Sequence, residues 1–254
     1  MLRWKEERQG ETALLIEGAR RIGKSTIVEE FAKNEYSSYI LVDFSKTATE
    51  INDLFNDLSD LNYIFLRLQL NYNVSLKERK SLIIFDEVQN NPKARQAIKH
   101  LVKDHRYDYI ETGSLISIRK NVQNIIIPSE ETRITMHPMD FEEFRWAMGD
   151  NVSFTLLKTV LEKKQPLGEA IHRKLMRDFR LYMLVGGMPQ AVDKYIKTND
   201  LSAVDTVKRD IIALYEEDLR KIDTSGKATA MFDAIPSQLS KNASRYTIST
   251  VIPG

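Results

Sequence analysis

Short apolar runs alternate with amphipathic stretches through the first half of the chain. Each run has five or six residues and is rich in Ile, Val and Leu, which is typical of strands buried on both faces of a parallel sheet. The runs predict β-strands at Ala13–Glu17, Tyr39–Asp43, Ser81–Asp86, Tyr107–Thr112 and Arg133–His137.

The stretches between these runs carry apolar residues at helical spacing, so strands and helices alternate along this part of the chain. Such alternation predicts an α/β fold, with a parallel sheet covered on both faces through right-handed crossovers. After Pro138 the helical pattern continues almost to the end of the sequence. The predicted helices are Lys24–Lys33, Ile51–Leu58, Lys93–Lys103, Phe141–Met148, Phe154–Lys163, Ala170–Val185, Ala191–Ile196 and Val204–Ile222.

Composition narrows the class of protein. Hydrophobic residues make up 42% and charged residues 29% of the 254 positions, as in ordinary globular proteins. No apolar run approaches the ~18 residues that a membrane helix needs, and the first residues lack the apolar segment of a signal peptide. The chain has no cysteine, which excludes disulfides and thiol nucleophiles. We therefore expect a cytoplasmic protein without a membrane partner.

The charge balance argues against a nucleic-acid-binding protein, and the positions of the histidines argue against a histidine metal site. The formal net charge is +1, so the chain as a whole has no electrostatic attraction for nucleic acid. Only a local basic patch would support such binding, and residues 227–245 contain only a few basic side chains. The histidines are too scattered to predict a metal site. They are His100, His105, His137 and His172.

A glycine-rich segment with the phosphate-loop (Walker A) pattern follows the first predicted strand and opens into a predicted helix. Glycines let backbone N–H groups approach phosphate oxygens closely, and the N-terminus of the helix adds partial positive charge. Lys24 is predicted to reach the β- and γ-phosphates, and the Ser25 hydroxyl to bind Mg²⁺. The predicted nucleotide-binding residues of this segment are Gly18, Ala19, Arg20, Arg21, Ile22, Gly23, Lys24, Ser25 and Thr26.

Two acidic residues end the third predicted strand. Ligands of open α/β sheets bind at the carboxyl edge of the strands, so Asp86 and Glu87 are expected beside the phosphate loop. We predict that Asp86 helps to hold Mg²⁺ and that Glu87 activates the attacking water. Strands often end in acids, so the prediction depends on the two motifs occurring together.

The fourth predicted strand ends in Thr112 and Ser114, either of which could contact the γ-phosphate; a plain strand-ending turn is the alternative. In many proteins with a phosphate loop, an arginine near the γ-phosphate stabilises the charge that develops during hydrolysis of the nucleotide and so accelerates it. The candidates are Arg20, Arg21, Arg119 and Arg133, among which we favour Arg133 as a catalytic residue.

These motifs together resemble the bacterial and archaeal AAA-type ATPases often called archaeal-ATPase-like, which are related to the STAND proteins. The resemblance rests on residues 15–26, 83–89 and 112–114, and continues through 136–144, 186–189 and 210–218. It implies a five-stranded P-loop core in which the strand of Thr112 lies between the strands of the two nucleotide motifs.

The resemblance also implies how the chain is divided into domains. We expect an ATPase core over residues 1–150, a helical lid over 151–220 and the start of a winged helix, incomplete in this sequence, over 221–254. In such proteins the proline of the Gly-x-Pro segment touches the adenine, a role that would pass to Pro189. A helix-breaking turn is the other interpretation of Pro189. Relatives commonly continue into a nuclease-like domain.

The leading hypothesis is an ATP-binding, Mg²⁺-dependent ATPase that releases ADP and phosphate. The alternative is a slow nucleotide-gated switch whose output is the binding of a partner protein or DNA. The partners expected besides ATP and ADP are a second copy of the chain or another protein. A small-molecule kinase is less favoured, because Glu87 beside Asp86 suits the activation of water and no motif for a phosphate acceptor is visible.

Overall fold

The computed structural model describes residues 1–114, 129–240 and 245–252. The chain divides into two compact units, Met1–Pro138 and Met139–Gly254. Among the described residues, no helix has the length and apolar character needed to cross a membrane.

Five parallel strands form the sheet of the first unit, in the order β2-β3-β4-β1-β5. Each lies within two residues of its predicted position, and β4 lies between β1 and β3, so the predicted fold class and strand order are confirmed. The strands are β1 (Ala13–Gly18), β2 (Ser38–Asp43), β3 (Ser81–Asp86), β4 (Asp108–Ser114) and β5 (Glu131–Met136).

The helices of the first unit differ from the prediction around residues 51–72. The predicted helix at 51–58 is a short α-helix and a 3₁₀ turn, and a longer helix that the sequence did not indicate begins after Asp60, which caps it. The helices are α1 (Leu2–Arg8), α2 (Lys24–Glu35), α3 (Thr49–Asp53), α4 (Leu61–Tyr72) and α5 (Pro92–Asp104), with 3₁₀ turns at Leu54–Asn56 and Val88–Asn90.

Side chains of alternate strand residues enter separate cores on the two faces of the sheet. In β1, Leu15 joins one apolar cluster, whereas Leu14 and Ile16 join the other. The first cluster includes Phe85 of β3, whose ring lies 5.3 Å from that of Phe55 between the ring centroids. Because both faces are covered, the carboxyl edge of the sheet is where polar side chains of these strands can gather.

The second unit is helical among its described residues. Its core is formed by Phe144, Val185, Ala191, Val192 and Val204. The five helices predicted between residues 141 and 222 are present. The helices are α6 (Phe141–Ala147), α7 (Ser153–Glu162), α8 (Glu169–Val185), α9 (Pro189–Thr198), α10 (Leu201–Ile222), α11 (Lys227–Asp233) and α12 (Ile235–Leu239), followed by a 3₁₀ turn at Ile248–Thr250.

The division between the two units falls earlier than the predicted boundary at residue 150. Helix α6 belongs to the second unit because Phe144 is buried in that unit's core. A capping box between Asp140 and Glu143 starts α6 immediately after the division. The sequence pattern changes at Pro138, the last residue of the first unit.

Two buried carboxyl groups lie on the face of the sheet that α5 covers. Glu111 on β4 has no exposed surface. Glu131 on β5 pairs with the buried Arg95 of α5 at 3.1 Å and with Arg133 at 2.6 Å. Burial raises the pKa of Glu111 well above its usual value, the Glu131 carboxylate adds to this effect, and Arg95 opposes it.

Replacing Glu111 with Gln should change how stability depends on pH. Since the pKa of Glu111 is raised on folding, the folded state holds its proton more tightly, and stability falls as the pH rises above the unfolded-state pKa. The slope for one such group is about 1.4 kcal/mol per pH unit, up to the folded-state pKa. Gln cannot ionise, so Glu111→Gln should lose less stability between about pH 5 and pH 8 in urea unfolding.

The exposed Glu11 provides the matched control for this measurement. Glu11→Gln should keep the wild-type dependence of unfolding free energy on pH. If Glu111→Gln and the wild type lose stability in parallel over that range, the attribution to the buried carboxyl group is wrong.

Candidate functional site

The turn between β1 and α2 is built around glycine. Gly18 ends β1, and a Cβ atom at this position would lie 2.3 Å from the carbonyl oxygen of Met136, so no larger residue fits there without a shift of the backbone. Gly23 caps α2 with a φ of +91°, and Arg21 also has a positive φ of +67°. These left-handed residues turn the chain sharply into the N-terminus of α2, where backbone N–H groups attract anions.

Lys24, the first residue of α2, is buried, and its side chain folds back over this turn. Its ammonium group donates hydrogen bonds to the carbonyl oxygens of Ala19 at 2.8 Å and Gly18 at 3.2 Å. Burial lowers the pKa of Lys24, the carboxylates of Glu87 and Asp86 oppose that shift, and Arg20 adds to it. The ammonium group is therefore held against the carbonyl oxygens of the turn, and the two carboxylates contribute favourably to its charged form.

Asp86 connects three elements at the carboxyl edge of the sheet. Its Oδ1 accepts hydrogen bonds from Ser25 of α2, at 2.8 Å, and from the hydroxyl of Thr112 on β4. The backbone N–H of Glu87 in turn donates to the Thr112 hydroxyl at 3.4 Å. The structure thus brings together Lys24, Ser25, Asp86, Glu87 and Thr112, all of which the sequence analysis selected.

Glu87 follows β3 in a left-handed conformation, with a φ of +53° that is uncommon for residues other than glycine. The turn directs the chain into the 3₁₀ segment Val88–Asn90, and there the side-chain amide of Gln89 donates a hydrogen bond to the Glu87 carboxylate. Sequence reasoning missed Gln89. Its position two residues after Glu87 suggests such a contact only once the left-handed turn is known.

The oxygen atoms at this edge suit magnesium. Mg²⁺ is usually bound by one or two protein oxygens together with substrate phosphates and water. The Ser25 hydroxyl and the Asp86 carboxylate are 2.8 Å apart and point toward each other, which is a fitting pair of oxygen donors. Among the described residues, no group of three His, Asp or Glu side chains forms an independent metal cage.

The other residues predicted in the turn have different surroundings. The Ile22 side chain is buried and would lie 2.6 Å from a Cβ atom at Gly18, so it supports the turn from within. Arg20 is half-buried, whereas Ala19, Arg21 and Thr26 are exposed. Ser114 is buried at the end of β4, directly opposite Gly18 in the register of the sheet.

Arg133, the favoured catalytic arginine, is not part of this group. It pairs with Leu15 in the register of β5 and β1, three residues before Gly18 and therefore ~10 Å from the edge. Its guanidinium is bound to the carboxylate of Glu131. The prediction of a catalytic role for Arg133 is not supported by this position. Arg119, the other distant candidate, lies outside the described residues.

Pro189 lies in the second unit as the first residue of α9, where a proline stabilises a helix start. A nearby glycine makes a close backbone contact, because the N–H of Met139 donates to the carbonyl oxygen of Gly187 at 2.8 Å. A Cβ atom at Gly187 would lie 2.1 Å from the Met139 carbonyl oxygen. This glycine and proline therefore have a structural role within the second unit, and the adenine contact stays a prediction.

The fold and site define a P-loop nucleotide-binding protein. The AAA domain family matches residues 10–145, more than half of the chain, and the chain belongs to that family. Its members are nucleotide-binding proteins of the ATPase type. A domain of unknown function (DUF8612) matches residues 176–252.

Other comparisons are distant. No curated protein matches the sequence. The solved structures that resemble the chain include PCH-2 of C. elegans, with 10% identity and a TM-score of 0.42 over 80% of this chain and 62% of that one. They also include ORC1 of Aeropyrum pernix in complex with DNA, with 12% identity and a TM-score of 0.43 over 98% and 79%. Both scores are too low for either likeness to bear on function.

Replacing Ser25 with Ala should remove the magnesium dependence of nucleotide binding. The Ser25 hydroxyl lies against Asp86, and its loss takes away one oxygen donor from the pair. We expect about tenfold weaker binding of a slowly hydrolysed ATP analogue with Mg²⁺, and little change in EDTA. Calorimetric titration under both conditions measures the difference.

Ser37→Ala is the matched control, since Ser37 is exposed at the opposite edge of the sheet and bonds to the carbonyl oxygen of Lys80. It should bind the analogue as the wild type does. An unchanged magnesium effect in Ser25→Ala would exclude Ser25 as a metal ligand.

Proposed function

We propose that the chain hydrolyses ATP to ADP and phosphate with Mg²⁺, as a nucleotide-driven regulatory protein of the cytoplasm. The observation that carries this proposal is the hydrogen-bonded group formed by Ser25, Asp86 and Thr112 beside Lys24 and Glu87. These residues combine a cation for phosphates, oxygens for a metal and a carboxylate for water at one edge of the sheet.

Binding of the triphosphate would rely on the turn after β1. The N–H groups of residues 18–25 and the N-terminus of α2 offer donors and partial positive charge to phosphate oxygens. Lys24 would exchange its bonds to the carbonyl oxygens of Gly18 and Ala19 for bonds to the β- and γ-phosphates.

Hydrolysis would rely on Glu87. Glu87 directly follows Asp86, whose carboxylate is bound by Ser25 at the start of α2, so both acids would lie near a γ-phosphate held at that helix start. Glu87 would orient a water molecule and accept its proton at a carboxylate oxygen. Ser25 and Asp86 would hold Mg²⁺, which neutralises charge on the phosphates.

Arg20 is the arginine that we propose to add positive charge in the transition state. It lies within the turn and is half-buried, and its positive charge contributes to the lowered pKa of Lys24. Because charge repulsion between them is relieved by an anion, the pair favours a bound phosphate. Thr112 or Ser114 would contact the γ-phosphate from β4, and for Thr112 this contact would replace its hydrogen bond to Asp86.

The second unit supports a regulatory output. We propose that residues 151–220 act as a lid, with Pro189 against the adenine, and that 221–254 begin a winged helix. Several of its apolar side chains are exposed, including Leu161 at 78% and Met183 at 63%. The second candidate function is a slow nucleotide-gated switch that binds a partner protein or DNA with little turnover. DNA binding has less support.

Replacing Glu87 with Gln should separate hydrolysis from binding. Gln keeps the size of the side chain but cannot accept a proton, so turnover should fall at least about 100-fold while ATP affinity is retained. Phosphate release under multiple turnover measures the rate, and calorimetry with Mg²⁺ and a slowly hydrolysed analogue measures the affinity. Full turnover in this variant would remove Glu87 from its proposed role.

Glu78→Gln is the matched control, because Glu78 is exposed and lies before β3, at the other edge of the sheet. It should hydrolyse ATP at the wild-type rate. A wild-type chain that binds ATP but completes no more than one turnover would favour the switch over the ATPase.

A further inference from the structure

Gln89 is a buried polar residue next to the proposed hydrolysis site. It lies in the 3₁₀ turn Val88–Asn90 and is only 8% exposed. Its side-chain amide nitrogen donates a hydrogen bond to one carboxylate oxygen of Glu87. A buried amide donor directed at a carboxylate is a strong interaction, because the acceptor is charged and little water competes for it.

The turn that carries Gln89 is fixed on both sides. Val88 is fully buried in the apolar cluster that also contains Phe85, so the turn is attached to the core. Backbone bonds from Asn90 to Glu87, at 3.0 Å, and from Asn91 to Val88, at 3.1 Å, close it. Asn91 caps α5 by accepting a hydrogen bond from the backbone N–H of the helix at 3.0 Å. The amide of Gln89 is therefore held in place relative to β3.

The turn that carries Gln89 is held in place by packing and backbone hydrogen bonds, whereas the side chain of Glu87 needs a hydrogen-bonding partner to hold one conformation. It is only half-buried, and its backbone is held by the left-handed turn and by the hydrogen bond to Thr112. The bond from Gln89 engages one of its two oxygens. The Gln89 amide therefore ties one carboxylate oxygen of Glu87 to the closed turn that follows β3, at the carboxyl edge of the sheet.

We propose that Gln89 is a positioning residue for hydrolysis, whose side-chain amide holds the Glu87 carboxylate toward the attacking water. The inference rests on the proposed ATPase function and adds a residue to it. Gln89 contacts neither nucleotide nor metal in this account. It fixes one carboxylate oxygen and leaves the other to accept the proton of the water. Orientation of this kind matters because small displacements of a reacting group are costly in rate.

The first test compares Gln89→Ala with Asn90→Ala, which removes an exposed side chain from the same turn. Gln89→Ala should lower kcat for ATP hydrolysis about 10- to 100-fold and leave the Kd for a slowly hydrolysed ATP analogue with Mg²⁺ unchanged. Asn90→Ala should keep both values. Circular dichroism and the retained nucleotide affinity show that the variants are folded.

The variant Gln89→Glu adds a second measurement, the pH dependence of kcat, which a purely structural role of Gln89 would not change. When protonated, the carboxyl group introduced by this substitution can donate the same hydrogen bond as the amide, whereas its ionised form repels the Glu87 carboxylate. The kcat of this variant relative to the wild type should therefore rise as the pH falls from about 8 to about 6. The same ratio for Gln89→Ala should stay flat.

A double variant tests whether Gln89 acts through Glu87. In a Glu87→Gln background, Gln89→Ala should cause no further loss of residual turnover, so the two effects should be non-additive. The proposal is overturned if Gln89→Ala hydrolyses ATP at the wild-type rate or faster, if it loses nucleotide affinity in proportion to rate, or if its effect is additive with that of Glu87→Gln. Turnover by the wild type that depends on Glu87 keeps the proposed function in place even when Gln89 fails these tests.

Discussion

The hydrogen bonds to Asp86 are the interaction on which the rest of the site depends. One carboxylate oxygen accepts from Ser25 at the start of α2 and from Thr112 on β4, so a single group joins the phosphate turn, β3 and the strand between β1 and β3. Asp86 is only 6% exposed. A carboxylate in such a place is tolerated because hydroxyl donors satisfy it, and a bound cation would satisfy it further.

The order of the strands makes this contact feasible. With β4 between β1 and β3, a short hydroxyl side chain on β4 reaches the acid on its neighbour, while the turn after β1 brings Ser25 to the same oxygen. Steric demands at Gly18 fix where that turn begins, because the chain passes directly against the carbonyl oxygen of Met136 at the end of β5. Because both faces of the sheet are covered by apolar packing, the polar side chains of the site gather at its carboxyl edge.

Much of this architecture could be predicted from the sequence because strands buried on both faces are simple apolar runs, and because the phosphate turn has a fixed residue pattern. Helix α4 could not be predicted, since apolar residues occur around much of its circumference: Ile64, Phe65 and Leu68 are buried while Leu66 and Leu70 are exposed. Such a helix lacks the single apolar face whose spacing in the sequence indicates an amphipathic helix.

The sequence predicts which residue types form the site, but it does not predict where each side chain points or which partner it contacts. Arg133 was a reasonable candidate from its place at the start of a predicted strand, yet its pairing with Glu131 depends on the buried acid group formed by β4, β5 and α5. Likewise, the contact between Gln89 and Glu87 follows from a left-handed residue, and nothing in the local sequence requires that conformation. Long-range packing therefore determines the partner of Arg133, and an unusual backbone angle at Glu87 determines the partner of Gln89.

Binding of a nucleotide at the turn after β1 is tested most directly by calorimetric titration of ATP and GTP into the folded chain, with and without Mg²⁺. Saturable binding of ATP that is tighter with Mg²⁺, and that is lost in Lys24→Ala, is the predicted result. Absence of binding by both nucleotides at millimolar concentration, in a chain shown to be folded, would contradict it.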